Sequence, residues 1–570
     1  AFSVYPNDAL EEEEIAETLI YPADIASIDL SVPYDSRVQE FLNTYHTKVH
    51  DGFLKHPGVK DLFDTLGAEV FVPRNWDGLV DENGKPWIFR INWKEAPADI
   101  KRKSSFINEK LYEIVKTEFE RLTLARFFVD SDSPVASRLV VAPKATDPFV
   151  RLCGDFSPIN KDMSNSQVEI PLVFQELQKV AKSSVFANID MTNAFHQLLI
   201  DDLSSNRLSI ATPFGQFRPR FLPEGIKVAS QILQKAMKTI FKDMGEDCIV
   251  MFDNFLVLAD DHEDLKNKLE KFFGLCKKHN LFLKLSKSDF AVRETPFFGY
   301  TVRKNSYVIE QSRLQGLDDL PFPPDADRIN TPAKKIQAMQ VYLGITQFVA
   351  PFVPRYAKLT ARLHDMIHKS FDWEEKNWPE DYRSIWAQHR RLVKEVYAMY
   401  YPDYSLDWVV RVDASQIGCG GVLLQVREGK DGEEILEPLM LFSHKFTDAA
   451  TRWQISDQEA YGIYYGVHKA RHLLLGKPFI LETDHRNLLW MEKSKIPKIN
   501  RMVSFLTSFE IWVRHIAGVE NDAADGLSRL MRGIQPETFG KQQVDSPPTD
   551  MVENKLAEMV ASLCCVDEKI

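Results

Sequence analysis

The sequence predicts a mixed α/β (α+β) protein in which two α/β units are joined by a helical segment. Between residues 137 and 303, short runs rich in β-branched and aromatic residues alternate with amphipathic helical patterns. Pro and Asp punctuate PFPPDAD at 321–327, which is typical of a linker, and helical patterns fill 332–399. A second mixed unit opens with the strand pattern WVVRVDAS at 408–415 and closes near Arg529.

Hydrophobic periodicity divides the first unit into elements. Apolar residues recur at helical spacing in INEKLYEIVKTEFERLTLARFF (107–128), and two further helices are predicted at 227–243 and 262–280. Apolar runs predict strands at 137–143, 149–156, 183–191 and 296–303. The stretch IVMFDNFLVLA predicts two strands joined by a turn, with Asp253 and Asn254 at its tip.

The formal charge of −12 is concentrated at the two ends of the 570-residue chain. Residues 1–40 hold ten acidic residues and one basic residue, and residues 531–570 hold seven and four. Residues 41–530 carry 65 acidic and 65 basic residues. This balance is compatible with a basic groove for nucleic acid but does not demonstrate one. A chain of this length predicts about three or four domains.

Cysteine usage and hydropathy predict a soluble intracellular protein. The six cysteines are scattered without a CxxC pair, which favours reduced thiols over a disulfide framework. Residues 1–30 lack a signal-peptide pattern. No apolar run approaches the ~18 residues of a membrane span, so no membrane association is expected.

Two apolar strands of the first unit end in a lone carboxylate. Asp190 ends one in FANIDMTNAFHQLLI, and Asp253 ends another in IVMFDN. Carboxylates at the ends of buried strands need hydrogen bonds, charges or metals to satisfy them. If the strands are neighbours, both groups reach one point and can hold Mg²⁺ in a two-metal site. The alternative is that each Asp caps a turn.

In their order along 137–300, the motifs resemble the reverse transcriptase of gypsy-type long-terminal-repeat retrotransposons (Metaviridae). SPVASRLVVAPK and VRLCGDFSPINK are similar to the fingers, and IDMTNAFHQ is similar to the first palm motif. FLPEGIKVASQILQ resembles the loop and helix that line nucleotide and template, and FFGY resembles the primer grip. YLGITQFVAPFVPRYAKLTARL (342–363) resembles the thumb. The resemblance implies a right-hand polymerase with fingers, palm and helical thumb.

The same resemblance assigns roles to single residues. Catalytic metal binding falls to Asp190 and Asp253, with Asn254 beside them. The dNTP-binding set is Lys144, Arg151, Phe195, Glu224, Gly225 and Lys287. The primer and template set is Gln234, Phe298, Gly299, Tyr300, Arg355 and Lys358. Phe195 would be the gate against a 2′-hydroxyl, and Lys287 a general acid for pyrophosphate. Family members more often have Phe or Gln where Glu224 stands. For the thumb bases, a solvated helix face is the alternative.

The hairpin tip departs from the family pattern at two positions. Relatives have an aromatic residue, a variable residue and Asp-Asp, where this chain has Met251, Phe252, Asp253 and Asn254. Met251 removes an aromatic contact and a hydroxyl near the primer end. Asn254 replaces a carboxylate by an amide whose carbonyl oxygen can still coordinate a metal. Three interpretations stay open: an active polymerase, a weakened or inactive one, and a deliberate inactivating substitution.

The second unit holds another ordered set of carboxylates. Asp413 ends WVVRVDAS before a Gly-rich turn, and Glu459 begins the helix in SDQEAYGIYYGVHKARHLL. Asp484 follows the strand PFILE, and Asp525 lies on a late helix. The order resembles the Asp-Glu-Asp-Asp set of an RNase H-like α/β domain, which binds two Mg²⁺ ions and cleaves the RNA of an RNA–DNA hybrid. His515 matches a catalytic-loop His by spacing; a strand residue with a satisfied imidazole is the alternative.

The resemblance implies a reverse transcriptase with RNase H activity that replicates a retrotransposon. The implied parts are 1–70 as an acidic extension, 71–320 as fingers and palm, 321–400 as thumb and connecting helices, 401–530 as RNase H domain and 531–570 as an acidic tail. Two Mg²⁺ ions per active site are expected, with Mn²⁺ as an alternative. The expected partners are an RNA template, a DNA primer, an RNA–DNA hybrid and dNTPs. A homodimer stays open, and the expected location is cytoplasmic, within virus-like particles.

Other functions stay open beside this one. A nuclease whose palm has become a hybrid-binding platform is favoured by Asn254, and a non-catalytic structural subunit is a second alternative. An RNA-templated RNA polymerase is a third, which Phe195 disfavours. No DTG or DSG triplet and no integrase-type metal set are found, so we expect one segment of a longer polyprotein or a chain cut to the polymerase–nuclease unit.

Overall fold

The computed structural model describes residues 32–94, 107–124, 126–143, 150–164, 173–315, 317, 320–326, 329, 331–353, 356–394, 396–416, 418–429, 431–447, 449–483, 496–515 and 553–555. The chain divides into two compact units, Ala1–Thr295 and Pro296–Ile570. Within the described ranges, no helix is both long and apolar enough to cross a membrane.

The first unit combines helices with short strands. Its helices are α1 Tyr34–Thr44, α2 Asp51–Leu54, α3 Val59–Leu62, α4 Ala68–Phe71, α5 Glu109–Leu124, α6 Val173–Leu177, α7 Asp202–Arg207, α8 Ala229–Ile240 and α9 His262–Lys278. Its strands are β1 Ile88–Phe89, β2 Phe128–Asp130, β3 Ser137–Pro143, β4 Val150–Gly154, β5 Val185–Met191, β6 Leu199–Ile200, β7 Ile210–Thr212, β8 Gly215–Pro219, β9 Cys248–Met251, β10 Asn254–Ala259 and β11 Leu283–Val292. The predicted strands and helices of this unit are therefore present, with ends that differ by a few residues.

The sheet that carries both predicted carboxylates has the antiparallel order β11–β5–β10–β9. Helix α9 covers its apolar face because Leu265, Leu269 and Phe272 recur at helical spacing and are fully buried. The ring of Phe272 meets Phe255 of β10 edge to face, with centroids 5.3 Å apart. This packing fixes the two central strands side by side.

The helices before residue 72 belong to the same unit. The ring of Phe63 lies 5.0 Å from Phe290 of β11 and 5.7 Å from Phe273 of α9. Phe41 and Phe71 stack on each other with centroids 5.5 Å apart. Aromatic side chains spaced among polar ones thus complete the core of this unit on both sides of residue 70.

A second sheet of the first unit has the order β2–β8–β7–β3–β4. Helix α5 packs on it through Phe119, which stacks on Phe128 at 5.1 Å and meets Phe217 edge to face at 4.7 Å. The antiparallel pair β3–β4 places Leu139 opposite Gly154. This layer holds the segments that resemble the fingers.

The second unit begins with a small sheet and helices and ends in a larger sheet. Its helices are α10 Gln311–Gln315, α11 Pro332–Val349, α12 Tyr356–Leu363, α13 Tyr382–Leu392, α14 Ile455–Leu474 and α15 Pro497–Leu506. Its strands are β12 Glu294–Phe297, β13 Tyr300–Arg303, β14 Ser306–Ile309, β15 Met399–Tyr400, β16 Asp407–Ser415, β17 Gly418–Glu428, β18 Glu434–Lys445, β19 Phe479–Thr483, β20 Ile511–His515 and β21 Glu553–Lys555.

The small sheet has the order β12–β13–β14–β15 and differs from the sequence prediction in two ways. The single strand predicted at 296–303 is divided by a turn at Phe298 and Gly299, where φ is 51° and 84°. Tyr307 of β14 pairs with Met399 of β15, so this hairpin belongs with the later helices. The two compact units consequently divide at 295/296, and the limit of fingers and palm at residue 320 stays a prediction.

A buried polar network joins α11, α12 and α13. His389 is fully buried, and both of its ring nitrogens form hydrogen bonds. Nδ1 bonds with the Tyr342 hydroxyl at 2.8 Å and Nε2 with the Thr360 hydroxyl at 2.8 Å. Trp386 packs on Tyr342 with ring centroids 3.9 Å apart. Burial and the neighbouring His364 lower the pKa of His389 to about 4, so this imidazole is neutral near pH 7.

The large sheet has the order β18–β17–β16–β19–β20–β21. The first three strands are antiparallel, and β19 and β20 run parallel to β16. Helix α14 packs closely on it because Gly462 lies against Val412 and Ala414 of β16. The mixed α/β architecture predicted for this unit is therefore confirmed.

Candidate active sites

The Asp-Asn pair of IVMFDNFLVLA lies at a two-residue hairpin turn. Asn254 pairs with Met251, so Phe252 and Asp253 form the turn, and Asn254 is the first residue of β10. Phe252 has a φ of 55°, a conformation that costs a side-chain-bearing residue about 1–2 kcal/mol. The turn therefore needs support from its surroundings.

Gln234 of helix α8 supplies that support. Its side chain is fully buried, and its amide nitrogen donates to the Val250 carbonyl at 2.9 Å. Its amide oxygen accepts from the Phe252 backbone N–H at 2.7 Å. One side chain thus satisfies two backbone groups of the hairpin. This structural role is additional to the template contact that the sequence predicts for Gln234.

Asp190 lies directly opposite Asn254 in the β5–β10 ladder. Side chains opposite each other in an antiparallel pair share one face, with Cβ atoms about 5 Å apart. The Met191 N–H donates to the Asp253 carbonyl at 2.8 Å, and the Asn254 amide nitrogen donates to Asp253 Oδ1 at 3.1 Å. Asp190, Asp253 and Asn254 are thereby brought together at one end of the sheet.

Two lysines of β11 flank Asp190. Lys284 is its register partner on the other side of β5, and Lys287 Nζ lies 3.9 Å from Asp190 Oδ2. Burial raises the pKa of Asp190 to about 6; Lys287 and Lys284 oppose this shift, whereas Asp253 adds to it. A carboxyl group that is poorly solvated and close to a second carboxylate is the electrostatic setting in which a divalent cation is favoured.

The turn after β5 holds Phe195 in a half-buried position. Gln197, which is buried, donates to the carbonyls of Thr192 at 2.6 Å and Phe282 at 2.8 Å and accepts from the Phe282 N–H at 2.8 Å. These bonds fix the segment that carries Phe195 against the start of β11. Gln197 has the same kind of structural role as Gln234.

The loop before α8 carries Glu224 and Gly225, and Glu224 and Asn193 help to line a cavity of about 130 Å³. Gly225 has a φ of 87°, a conformation that glycine adopts without steric cost. Asn160 bridges the loop, since its amide donates to the Gly225 carbonyl at 3.1 Å and accepts from the Lys227 N–H at 2.8 Å.

In the second unit, Asp413 and Glu459 come from elements that pack together. Asp413 lies on β16 opposite Gly420, and Glu459 lies in the second turn of α14 and is buried. Burial raises the pKa of the Cys419 thiol to about 12, and the Glu459 carboxylate adds to this effect. Glu459 is therefore close to Cys419 on β17. Cys419 is the neighbour in sequence of Gly420, which pairs with Asp413.

Several predicted site residues fall outside this description. Lys144, Arg355, Asp484 and Asp525 lie outside the described residues, and for Arg151, Lys358 and His515 only the backbone is described. Among the described residues, no cluster of three or more His, Cys, Asp or Glu side chains has the geometry to hold a metal ion. In the palm this follows from composition, because Asn254 takes the place of a third acid.

Family comparisons match two stretches of the chain. The family model described as "Reverse transcriptase (RNA-dependent DNA polymerase)" matches residues 145–302. The model described as "RNase H-like domain found in reverse transcriptase" matches residues 403–509. This chain carries a reverse transcriptase domain followed by an RNase H-like domain.

Curated relatives of these two domains are retrotransposon Pol polyproteins. The chain is 24% identical over 426 residues to the retrovirus-related Pol polyprotein from transposon 412 of Drosophila melanogaster, covering 73% of this chain and 33% of the relative. It is 25% identical over 395 residues to the transposon Tf2-7 polyprotein of Schizosaccharomyces pombe, covering 68% and 28%. The chain thus spans about a third of the length of the curated relatives it matches, and the predicted resemblance to gypsy-type elements is confirmed.

Solved structures support the fold of the reverse transcriptase and RNase H-like domains. The foamy viral protease-reverse transcriptase in complex with dsDNA matches with a TM-score of 0.70 and 16% identity, covering 88% of this chain and 100% of that one. The same viral protein in complex with an RNA/DNA hybrid matches with a TM-score of 0.65. At this identity the likeness shows the fold, and the two family matches confirm the predicted order of a polymerase followed by an RNase H-like domain.

Some residues of the reverse transcriptase domain were missed from sequence. Lys284 lies in LKLSKSDF beside the predicted Lys287, and its register with Asp190 follows from a β-bulge between Lys284 and Asp289 that shifts the pairing. The signal for Asn160 is its place in FSPINK, immediately after a predicted strand. Gln197 ends the first palm motif, and the resemblance assigns it no role.

Proposed function

We propose that this chain is an RNA- and DNA-templated DNA polymerase whose RNase H-like domain cleaves the RNA strand of RNA–DNA hybrids, in the replication of a retrotransposon. The single observation that carries the proposal is the placement of Asp190 opposite Asn254, with Asp253 in the adjoining turn. Two strands that are distant in sequence bring two carboxylates and an amide to one solvent-accessible edge. The family matches support this reading.

Mg²⁺ is the cofactor that fits these donors, with Mn²⁺ as an alternative. Carboxylate and amide oxygens are its preferred protein ligands, and Asp190, Asp253 and Asn254 offer them in the palm. Bound divalent ions, two per active site, would lower the pKa of the primer 3′-hydroxyl and stabilise charge on the phosphates. The Asn254 amide nitrogen already donates to Asp253, so the amide oxygen is the atom of this side chain that would coordinate a metal ion.

The nucleotide side of the site is proposed to bind a dNTP. Phe195 would exclude a 2′-hydroxyl, and Lys287, which is mostly exposed and close to Asp190, would neutralise the triphosphate and donate a proton to pyrophosphate. The remaining proposed dNTP-binding residues are Lys144, Arg151, Glu224 and Gly225. Gln234 would act through the hairpin that it supports.

The template and primer are proposed partners of the second unit as well. The turn at Phe298, Gly299 and Tyr300 would hold the primer end, and Arg355 and Lys358 would contact phosphates. The solved foamy viral structures that share the fold contain dsDNA or an RNA/DNA hybrid. The proposal also includes 71–320 as fingers and palm, 321–400 as thumb, 401–530 as nuclease and a cytoplasmic location within virus-like particles, and a homodimer stays open.

For the nuclease we propose Asp413, Glu459, Asp484 and Asp525 as the metal-binding acids and His515 as a proton-transfer residue. Glu459 is buried at the start of a 20-residue helix whose glycines allow close packing on β16. A buried carboxylate held on a rigid element is a suitable ligand because its position changes little when a cation binds.

Primer extension on an RNA template tests the proposal directly. The unaltered chain and Asn254→Asp are compared with Mg²⁺ and then Mn²⁺, and RNase H cleavage of a labelled hybrid is measured in parallel. Extension by the unaltered chain is expected, together with cleavage that is lost in Glu459→Gln while extension is kept. No extension by either chain would contradict the polymerase proposal.

The second candidate function is an RNase H nuclease whose palm only binds the hybrid. The observation that favours it is Asn254, which lowers the negative charge of the palm site by one unit. Extension that appears only in Asn254→Asp, with cleavage unchanged in both chains, would select this alternative. Gln234 and the β5–β10 ladder hold the hairpin, which is compatible with either function.

A further inference from the structure

The turn proposed to hold the primer end is a left-handed turn that closes β12 onto β13. Phe298 and Gly299 both have positive φ, at 51° and 84°. The Gly299 carbonyl accepts a hydrogen bond from the Glu310 N–H at 3.0 Å. The chain therefore returns beneath this turn immediately before helix α10, which begins at Gln311.

Arg313 lies over the turn. Its backbone N–H donates to the Glu310 carbonyl at 3.1 Å, and a Cβ atom added to Gly299 would overlap its guanidinium group. The guanidinium carbon lies 4.5 Å from the centroid of the Phe348 ring on α11. The absence of a side chain at Gly299 is thus what allows Arg313 to lie against this turn.

The aromatic ring below Arg313 is itself fixed. Phe348 stacks on Tyr300, with ring centroids 5.2 Å apart and an angle of 27° between the planes. Tyr300 is buried, which raises the pKa of its hydroxyl to about 12, and the positive charge of Arg313 opposes that shift. Tyr300, Phe348 and Arg313 therefore form one stack, and its outermost member is a cation.

A guanidinium held on an aromatic face is suited to bind phosphate. Arg313 is exposed, so its N–H groups remain accessible to a ligand. Cation–π contact restricts the side chain before binding, which lowers the entropy cost of ordering it, and the planar fork matches two phosphate oxygens. A lysine at the same place would supply the charge but neither the stacking plane nor the fork.

We propose that Arg313 binds a backbone phosphate of the primer strand beside the turn at Phe298 and Gly299. This inference rests on the proposed function, because it requires that the turn meets a nucleic-acid strand. Arg313 adds to that role a site for the anionic backbone, whereas the turn offers backbone groups and rings. The assignment also gives Gly299 a second reason to be glycine beyond its φ.

The test measures binding of the full chain to a DNA primer annealed to an RNA template, by fluorescence anisotropy over a series of salt concentrations. Arg313→Met is expected to weaken binding about tenfold and to reduce the slope of log affinity against log salt concentration by about one. Arg313→Lys is expected to restore the slope but to recover only part of the affinity. Lys304→Met removes an exposed charge from the same unit and serves as the matched control.

Two further readouts separate phosphate binding from a structural effect. In primer extension, Arg313→Met is expected to raise KM for the template–primer and to leave KM for dNTP unchanged. Phe348→Leu, which removes the ring under the guanidinium, is expected to weaken binding less than Arg313→Met and to add nothing in the double variant. Because Arg313→Met and Phe348→Leu change the same contact from its two sides, the test still decides when one of the two substitutions lowers stability.

Equal affinity and equal salt slope in Arg313→Met and Lys304→Met, with binding and extension by the parent chain intact, would overturn this inference alone. Failure of the parent chain to bind the template–primer would overturn both this inference and the proposed function. The two failures are therefore distinguishable, since binding is measured without polymerisation.

Discussion

Asp190 and Asn254 lie directly opposite each other across the β5–β10 ladder, and Asp253 occupies the turn next to them. Asn254, one of the two residues that depart from the family pattern, is thus the cross-strand partner of the Asp190 carboxylate. An amide at this position avoids a like-charge contact with Asp190, whose pKa burial already raises to about 6. The substitution consequently affects both charge repulsion and metal binding in the palm.

The first prediction concerns stability without metal. Asn254→Asp adds a third carboxylate beside Asp190 and Asp253, with its Cβ about 5 Å from that of Asp190, so we expect the free energy of unfolding to fall by about 0.5–1 kcal/mol in the presence of a chelator. Added Mg²⁺ should stabilise this variant more than the parent chain, because a divalent ion is favoured by the extra charge. Thermal unfolding with chelator and with Mg²⁺ measures both effects.

Asn206→Asp is the control for this comparison, since it adds the same charge at an exposed position of α7. It should show neither the loss with chelator nor the larger Mg²⁺ response. An identical Mg²⁺ response in Asn254→Asp and Asn206→Asp would contradict the assignment of Asn254 to the metal site.

The second prediction concerns the support of the hairpin. Gln234→Leu leaves the Val250 carbonyl and the Phe252 N–H without their buried partner, so unfolding of the first unit should become easier by about 2–4 kcal/mol. Primer extension should fall strongly because Phe252 holds a positive φ only with support. Cleavage by the RNase H-like domain on the same chain should be retained. Urea denaturation and the two activity assays measure these outcomes.

Gln234→Glu is the matched variant for this position, because the protonated acid keeps an acceptor for the Phe252 N–H and a donor for Val250, whereas the carboxylate keeps only the acceptor. We expect it to lie between the parent chain and Gln234→Leu in stability at acidic pH, and to lose stability as the pH rises and the buried acid ionises. If Gln234→Leu bound template–primer more weakly but unfolded like the parent chain, a direct template contact would replace the structural role.

The third prediction concerns discrimination between sugars. Phe195→Val removes the ring proposed to meet a 2′-hydroxyl, so the efficiency of ribonucleotide incorporation relative to deoxyribonucleotide should rise by about tenfold or more. Phe195 lies in a turn that Gln197 fixes, and Val keeps an apolar side chain there. Single-nucleotide incorporation with matched rNTP and dNTP measures the ratio. An unchanged ratio would exclude Phe195 as the gate.

The sequence predicts this fold well where one apolar run makes one element. β5 and β10 are short apolar runs with an Asp at or beside one end, so their pairing in a buried sheet follows from pattern and chemistry. The split of 296–303 was not predictable in the same way, because FFG contains a non-glycine residue, Phe298, at positive φ. Such a conformation depends on tertiary contacts, here those that involve Gly299 and Arg313.

The sequence suggested candidate site residues by type, but it did not reveal the contacts that support them. Asp190, Asp253, Asp413 and Glu459 could be named because carboxylates at strand ends and helix starts are informative residue types. Gln234 and Gln197 are amides whose importance comes from buried backbone partners distant in sequence, and no local pattern reports those partners. The register of Lys284 depends on a β-bulge, which a period-2 pattern does not reveal.

The last prediction concerns pH and the helices of the second unit. The folded pKa of His389 is lowered to about 4 from an ordinary value of 6.5, because burial and His364 disfavour the imidazolium. The unfolded state therefore binds the proton more tightly, so the stabilising contribution is complete above pH 6.5 and is lost as the pH falls from 6.5 to about 4. The loss at the lower limit amounts to about 3 kcal/mol.

His389→Gln keeps an amide able to reach Tyr342 or Thr360 and removes the titration, so unfolding of this unit should lose most of its pH dependence in that window. His368→Gln, at an exposed position in the same unit, is the control. Urea midpoints between pH 4 and 7 measure the effect, and parallel curves for the parent chain and His389→Gln would contradict a buried neutral imidazole.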